Sequence, residues 1–458
     1  MSMRYFLLTA LCCLGLFFSL QAPARSVETA IKVPETWTVV EAVRFAIANS
    51  PDSSIARQRI TAAQAAVKQA NSAFYPQVDL SASYGQTTNP MYSFGNILNQ
   101  RTFDQNIDFN DPGRTDNLNM AATLSYRLYN GGHDEAGLRA AKSNENASQA
   151  ELDAVHLQLG FEVVRMFCAI IQSEENLQAR LSATKAINAS LKVAGARYEA
   201  GDLLKADLLN LEVYQSRTDE NLIQARHALK LAKRGFLNLL GLEDGPLDFD
   251  TACDVQQQLP QNPSYDNRPE LKNLDSVIEA ADAVVRQTYS GYYPTADLFA
   301  GYQVDKGYEL DGAGNSWMAG LKVNYNLFNG HRTSAAIAQA KARLAEARGQ
   351  KRKLSLAINF EVEQARLALE QAEQRLAVTK KMVEQAAESG RLSRARFKEG
   401  VILSSDLIDV ENRLTDAMVR KTMAQASRRI AIADLRRAGG LQQFQIDESG
   451  DASDKGKE

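Results

Sequence analysis

Little in this chain serves catalysis. Its 458 residues include four cysteines and four histidines. Cys12 and Cys13 lie in an N-terminal apolar run, and the remaining two, Cys168 and Cys253, cannot staple a chain of this length. That excludes a disulfide scaffold; the sequence leaves open whether the two pair. His133, His156, His227 and His331 are scattered, with no i, i+4 pair around a glutamate and no CxxC beside them. His133 and His331 follow matching turns but stand one residue out of step, which argues against a metal site. There is no phosphate-binding glycine loop and no G-x-S-x-G. The sequence predicts no enzyme, no metal and no cofactor. A net charge of −3 gives no basic excess for nucleic acid or an anionic membrane surface. Beyond the N-terminus no run of 18 apolar residues occurs, so any membrane crossing has to be made by β-structure.

The N-terminus reads as a secretory signal over residues 1–24. Arg4 supplies the positive region, "FLLTALCCLGLFFSL" the apolar core and "APA" a small-x-small cleavage site before Arg25; a retained anchor is the alternative. The far end, "DESGDASDKGKE", is acidic and rich in small residues, so 441–458 is expected to be a disordered tail.

Proline is also scarce, 11 in all, and four of the eleven mark a repeat. "FYPQVDLSASYG" at Phe74 returns as "YYPTADLFAGYQ" at Tyr292. "LSYRLYNGG" at Leu124 returns as "VNYNLFNGH" at Val323, and "RYEAGDLLKADLLNLE" at Arg197 as "RFKEGVILSSDLIDVE" at Arg396. Pro51 to Pro269 and Pro76 to Pro294 are both offsets of 218; Tyr126 to Tyr325 and Arg197 to Arg396 are both 199. Only the stretch between the "YP" and "NG" signals changes length. It is longer by 19 in the first half, where "TTNPMYSFGNILNQRTFDQNIDFNDPGRTDN" reads as a long loop.

The 66-residue intervals from Gly131 to Arg197 and from Gly330 to Arg396 contain no proline and are rich in helix formers. In the second, Val362, Ala365, Leu369, Ala372, Leu376, Thr379, Val383 and Ala386 step by three and four. Leu157, Phe161, Val164, Cys168 and Ile171 do so in the first. This is a coiled-coil seam, and some 60 helical residues reach roughly 90 Å. The four runs that follow "YP" or precede "NG" alternate instead. Val78, Leu80, Ala82 and Tyr84 share one face, Gln77, Asp79, Ser81 and Ser83 the other; the runs around Met120–Leu128, Ala296–Val304 and Ala319–Leu327 repeat the pattern. About nine alternating residues make a membrane-length strand, apolar outward and polar inward. Phe74, Tyr75, Tyr129, Tyr292, Tyr293 and Phe328 stand at the strand ends, where an aromatic girdle belongs. Pro76 and Pro294 end a helix and start a strand. Four strands cannot close a barrel, and lipid does not tolerate open edges, so a barrel must be shared between chains.

The doubled "YP", "Y-x-L-(Y/F)-N-G" and "R-(Y/F)-x-x-G" signals, in order and at matched spacing, resemble the TolC family of outer-membrane efflux channels from about Trp37 to Leu441. The resemblance implies an α+β membrane protein: a homotrimer whose long α-helical coiled-coil barrel crosses the periplasm and whose transmembrane β-barrel takes four strands from each chain. The first repeat spans 25–241, with a hairpin at about 77–128, a long helix at about 132–196, a tip at 197–205 and a return helix. A linker or equatorial segment covers 242–268. The second repeat, 269–440, has a hairpin at about 295–327, a long helix at about 331–395, a tip at 396–404 and a return helix. The implied partners are a periplasmic adaptor and an inner-membrane RND pump or ABC exporter, with the chain as a passive conduit of an efflux or type I secretion system in the outer membrane.

By the same resemblance, adaptors dock at the tips, around Arg197, Tyr198, Gly201, Arg396, Phe397 and Gly400. Asp406 and Asp409 align with paired aspartates that ring the family's constriction, and Asp207 is the first-half counterpart. Ile402 and Phe397 depart from the family, whose best-known members place an arginine and a tyrosine there to hold the tip shut; Lys205 is a candidate partner for an aspartate instead. The plainer reading makes the glycines ordinary hairpin turns and the aspartates a solvated helix start. A non-pore periplasmic or surface coiled-coil protein is the rival for the whole chain; it explains the helices but not the four strands. Cargo is left open.

Overall fold

The structure is a computed structural model that describes residues 33–250 and 265–444. The expected signal segment, Cys253 and all but the start of the acidic tail lie outside the described residues. In chain order the elements are β1 (Thr36–Trp37), α1 (Val39–Asn49), α2 (Pro51–Asn71), β2 (Gln77–Thr87), α3 (Pro90–Asn99), β3 (Thr115–Tyr129), α4 (His133–Glu199), α5 (Lys205–Leu239), β4 (Asp248–Phe249), α6 (Pro269–Tyr289), β5 (Thr295–Lys306), β6 (Ala313–Asn324), α7 (Arg332–Lys398) and α8 (Ser404–Ala438).

The repeat is written in helix lengths. α2 and α6 have 21 residues each, α4 and α7 have 67 each, and α5 and α8 have 35 each. At about 1.5 Å per residue, 67 residues extend roughly 100 Å. Both 21-residue helices begin with proline at the first position, where the missing N–H costs nothing. The long helices run three residues past the expected 196 and 395, because nothing stops them before Gly201 and Gly400, which hold φ of +84° and +81°. The arginines and aromatics of the tip signals therefore belong to the last helical turn rather than to the loop.

β2, β3, β5 and β6 form one antiparallel sheet in that order. The register places Leu80 opposite Ala122, Ala122 opposite Tyr302 and Tyr302 opposite Trp317, all on one face. That face is exposed and apolar: Leu80 is 80 % and Trp317 77 % accessible. The other face carries polar side chains, with Arg127 paired to Asp297 at 3.3 Å and the Asn117 and Asn119 amides donating to Asp305 at 2.6 and 2.9 Å. β6 ends at Asn324 rather than near 327, since its partner β5 starts only at Thr295, directly opposite. Among the described residues, β2 and β6 have no neighbouring strand on their outer edges. The 88–114 stretch is not merely a loop: Asn89 caps α3 by accepting from the Met91 N–H at 3.1 Å, and Pro90 opens the helix.

The main core sits beside the middle of α4. Trp37 of β1 meets Phe45 and Phe236 edge to face, with centroids 5.3 and 5.7 Å away, and Phe167 and Phe249 complete the group. The Trp37 indole N–H donates to the Pro246 carbonyl at 3.1 Å. Burying five aromatics stabilises this junction by about 2 kcal/mol or more each. One window of α4 is long and apolar enough to cross a membrane, and half of it is buried in the protein. Val163, Val164, Phe167, Ile170 and Ile171 all belong to this core. The seam read for α7 is also there: Ala365, Leu369, Ala372 and Thr379 are buried along one stripe.

Candidate functional site

The two helix turns, Ala200–Leu204 and Glu399–Leu403, lie together at one end of the bundle. Their backbones are copies. The Asp202 N–H donates to the Arg197 carbonyl at 2.8 Å and the Gly201 N–H to Tyr198 at 3.0 Å; Val401 donates to Arg396 at 2.9 Å and Gly400 to Phe397 at 3.1 Å. These bonds satisfy carbonyls that a helix end leaves bare.

The side chains are not copies. Arg197 crosses from the first tip to the second. Its guanidinium donates to the Phe397 carbonyl at 2.9 Å and to the Asp202 carbonyl at 3.0 Å, and its Cζ stands 5.4 Å from the centre of the Phe397 ring. Phe397 is only 2 % exposed. It packs with Ile187, Ala194, Leu211, Tyr214 and Leu407, and Ile402 lies against the same cluster. The two tips are thus joined by apolar packing plus one arginine from the other hairpin. A second tie joins the return helices: the Ser404 hydroxyl donates to Asp207 Oδ1 at 2.6 Å. Lys205 makes no ion pair among the described residues.

Asp406 and Asp409 are exposed on α8, one turn apart. Asp406 Oδ2 lies 3.4 Å from the Leu403 N–H, a weak cap. Asp207 is half-buried and accepts from the Ser404 hydroxyl. Two residues past Asp409 on α8, Glu411 is 3 % exposed and pairs with Arg394 at 2.7 Å. Burial pushes its carboxyl above the ordinary glutamate value, and Arg394 opposes that rise. Burial, with the Glu411 charge nearby, also pushes the Tyr214 hydroxyl up to about 12.

Of the six tip residues read from sequence, Tyr198 and Arg396 are displayed, Gly201 and Gly400 shape the turns, Arg197 ties the tips together and Phe397 is buried. The outermost apolar surface comes from residues the sequence reading passed over: Leu204 at 73 %, Val401 at 68 % and Leu403 at 62 % exposure. The available signal was apolar residues just past the turn glycines, where a solvated turn ordinarily carries polar ones.

Comparison with known proteins agrees with this layout. The sequence model of the outer membrane efflux protein family matches residues 42–242 and 263–441, and the chain belongs to that family. It is similar to Protein CyaE of Bordetella pertussis, 26 % identical over 318 residues, covering 66 % of this chain and 64 % of CyaE. Outer membrane efflux protein BepC of Brucella suis is 26 % identical over 233 residues, 49 % of this chain and 50 % of BepC. The matched part thus spans between half and two thirds of these relatives. The outer membrane protein VceC of Vibrio cholerae has the same fold, with a TM-score of 0.73 at 19 % identity over 89 % of this chain and 97 % of that one.

Proposed function

We propose that three copies of this chain form a passive channel across the outer membrane and periplasm, the exit duct of a tripartite efflux or type I secretion system. A periplasmic adaptor engages the tips, and an inner-membrane RND pump or ABC exporter supplies the energy, so the chain itself catalyses nothing. The observation that carries this reading is the four-stranded sheet, apolar outside, polar inside and open at both edges, mounted on helices roughly 100 Å long. Three such sheets supply twelve strands and remove every edge. Exposed apolar residues along the helices, such as Val213 of α5 and Phe360 of α7, are surfaces that neighbouring copies cover.

Adaptor docking is assigned to the tips around Tyr198, Arg396, Gly201 and Gly400, with Arg197 and Phe397 shaping the surface from beneath. Asp406 and Asp409 then make two rings of three carboxylates, with Asp207 as the first-half counterpart, favouring cations at the narrow end. The test is planar-bilayer conductance of the detergent-purified protein with a multivalent cation on the tip side. Cation-selective steps that the cation blocks are expected, and Asp406→Ala with Asp409→Ala should abolish the block. Unchanged selectivity and block in that double variant would remove the rings, and no conductance from a folded oligomer would remove the open duct.

A further inference from the structure

The extra 19 residues of the first half do not project from the sheet; they fold onto its polar face. Ser93, Ile97 and Gln100 line the buried side of α3 and its end. The Asn96 amide donates to Thr115 Oγ1 at 3.0 Å, and the Gln100 amide to the Asp116 carbonyl at 2.6 Å and to Asn117 Oδ1 at 3.1 Å. Thr115 and Asn117 alternate with outward Leu118 and Met120, so they sit on the face opposite the apolar one. The second hairpin is cut away to receive this segment. A Cβ on Gly307 would collide with Gln100 Oε1, on Gly312 with Thr102 Cγ2, and on Gly314 with the Asn99 carbonyl oxygen. The last collision is with backbone, which cannot swing aside, so the docking requires glycine there. Arg101 adds a bond to Asn315 Oδ1 at 2.9 Å, and Arg114 pairs with Glu309. α3 thus runs along the inner face from the end of β2 to β6, and the chain then returns to β3.

We infer that α3 sits inside the barrel mouth, and that three copies meet on the threefold axis as an outer constriction, far from the tips. This rests on the trimeric channel proposed above. Twelve strands about 4.8 Å apart and tilted by about 40° enclose a backbone radius of roughly 12 Å. A helix with its side chains is about 10 Å across, so three helices on the inner wall fill that bore. The side of α3 turned away from the sheet fits such a meeting. Met91 and Leu98 are 83 % and 49 % exposed, and a Cβ added to Gly95 between them would meet no atom within 4 Å. The occupant of this apolar stripe is the α3 of the neighbouring copies, because the same copies must meet the open edge of β2, just past which α3 starts, and the open edge of β6, against which its last residue lies.

Leu98→Cys tests it, with Met91→Cys as a second position in case the first variant assembles poorly. Each is oxidised in the intact detergent-purified protein, and the particle mass is measured by light scattering on the same sample. A disulfide needs Cα atoms within about 7 Å, so the expected result is a trimer that yields a covalent dimer on a denaturing gel, lost on reduction. A trimer with no crosslink at either position overturns the constriction and leaves the channel standing. A particle that is not a trimer overturns both.

Discussion

Replacing Arg197 with alanine should loosen the contact between the two tips specifically. The guanidinium makes two hydrogen bonds to carbonyls, at 2.9 and 3.0 Å, across the two turns. The residue is half-exposed, so each bond is worth about 1 kcal/mol rather than the larger value of a buried charged pair. The stacking on Phe397 at 5.4 Å adds about 0.5–1 kcal/mol. The sum, about 2.5–3 kcal/mol, corresponds to a roughly 70- to 160-fold larger population of separated tips. Amide hydrogen exchange reads local opening of this kind. Peptides covering 194–211 and 394–408 should exchange faster by that factor in Arg197→Ala, while those around Trp37 and Phe167 stay unchanged. Arg197→Lys keeps the charge but not the planar fork and should recover less than half of the protection. Unaltered exchange at the tips, or a uniform increase across the whole chain, would refute the reasoning.

Four further outcomes follow from the structure. Gly400→Ala forces a side chain into φ +81°, at about 1 kcal/mol, and brings its Cβ to 3.1 Å from Arg197 Nη2, so it should raise exchange in the second tip by roughly fivefold or more. Arg394→Ala leaves Glu411 buried without its partner and should lower stability by about 2 kcal/mol, less than for a fully buried pair because Arg394 is partly exposed; adding Glu411→Gln should restore most of it in guanidinium denaturation at neutral pH. Because the folded Glu411 value is raised, its favourable contribution is fullest below the ordinary glutamate value and is lost as pH rises through the folded one, so Glu411→Gln should flatten the decline in stability over that window. Cys168 is fully buried with its thiol pushed up to about 12, so it should resist alkylation at pH 8 until the protein is denatured.

The large elements were legible because their signals are long and doubled. Two proline-free stretches with three-and-four stepping could only be extended helices, and alternation in Val78–Tyr84 and its three companions could only be half-exposed strands. The strand ends were less legible: where β6 stops depends on where its partner starts, a tertiary fact. α3 was hidden because Asn89-Pro90 reads equally as a turn and as a cap with proline at the first helical position, and because its buried side holds one large apolar residue, Ile97, beside Ser93 and the capping Gln100. At the tips, the positions of the arginines and aromatics were readable from the repeat, but not the asymmetry between them. Nothing in two matching R-(Y/F)-x-x-G motifs says that the first arginine spans the turns while the second aromatic is buried. That difference arises from packing between hairpins 199 residues apart in sequence.

The central claim, a shared barrel on a long helical tube, is tested most directly by electron-microscopic projections of the detergent-purified particle. The expected images are a threefold end view and a side view with a helical section roughly 100 Å long that narrows at the end bearing Gly201 and Gly400. A folded monomer, or a compact particle with no tube, would contradict it.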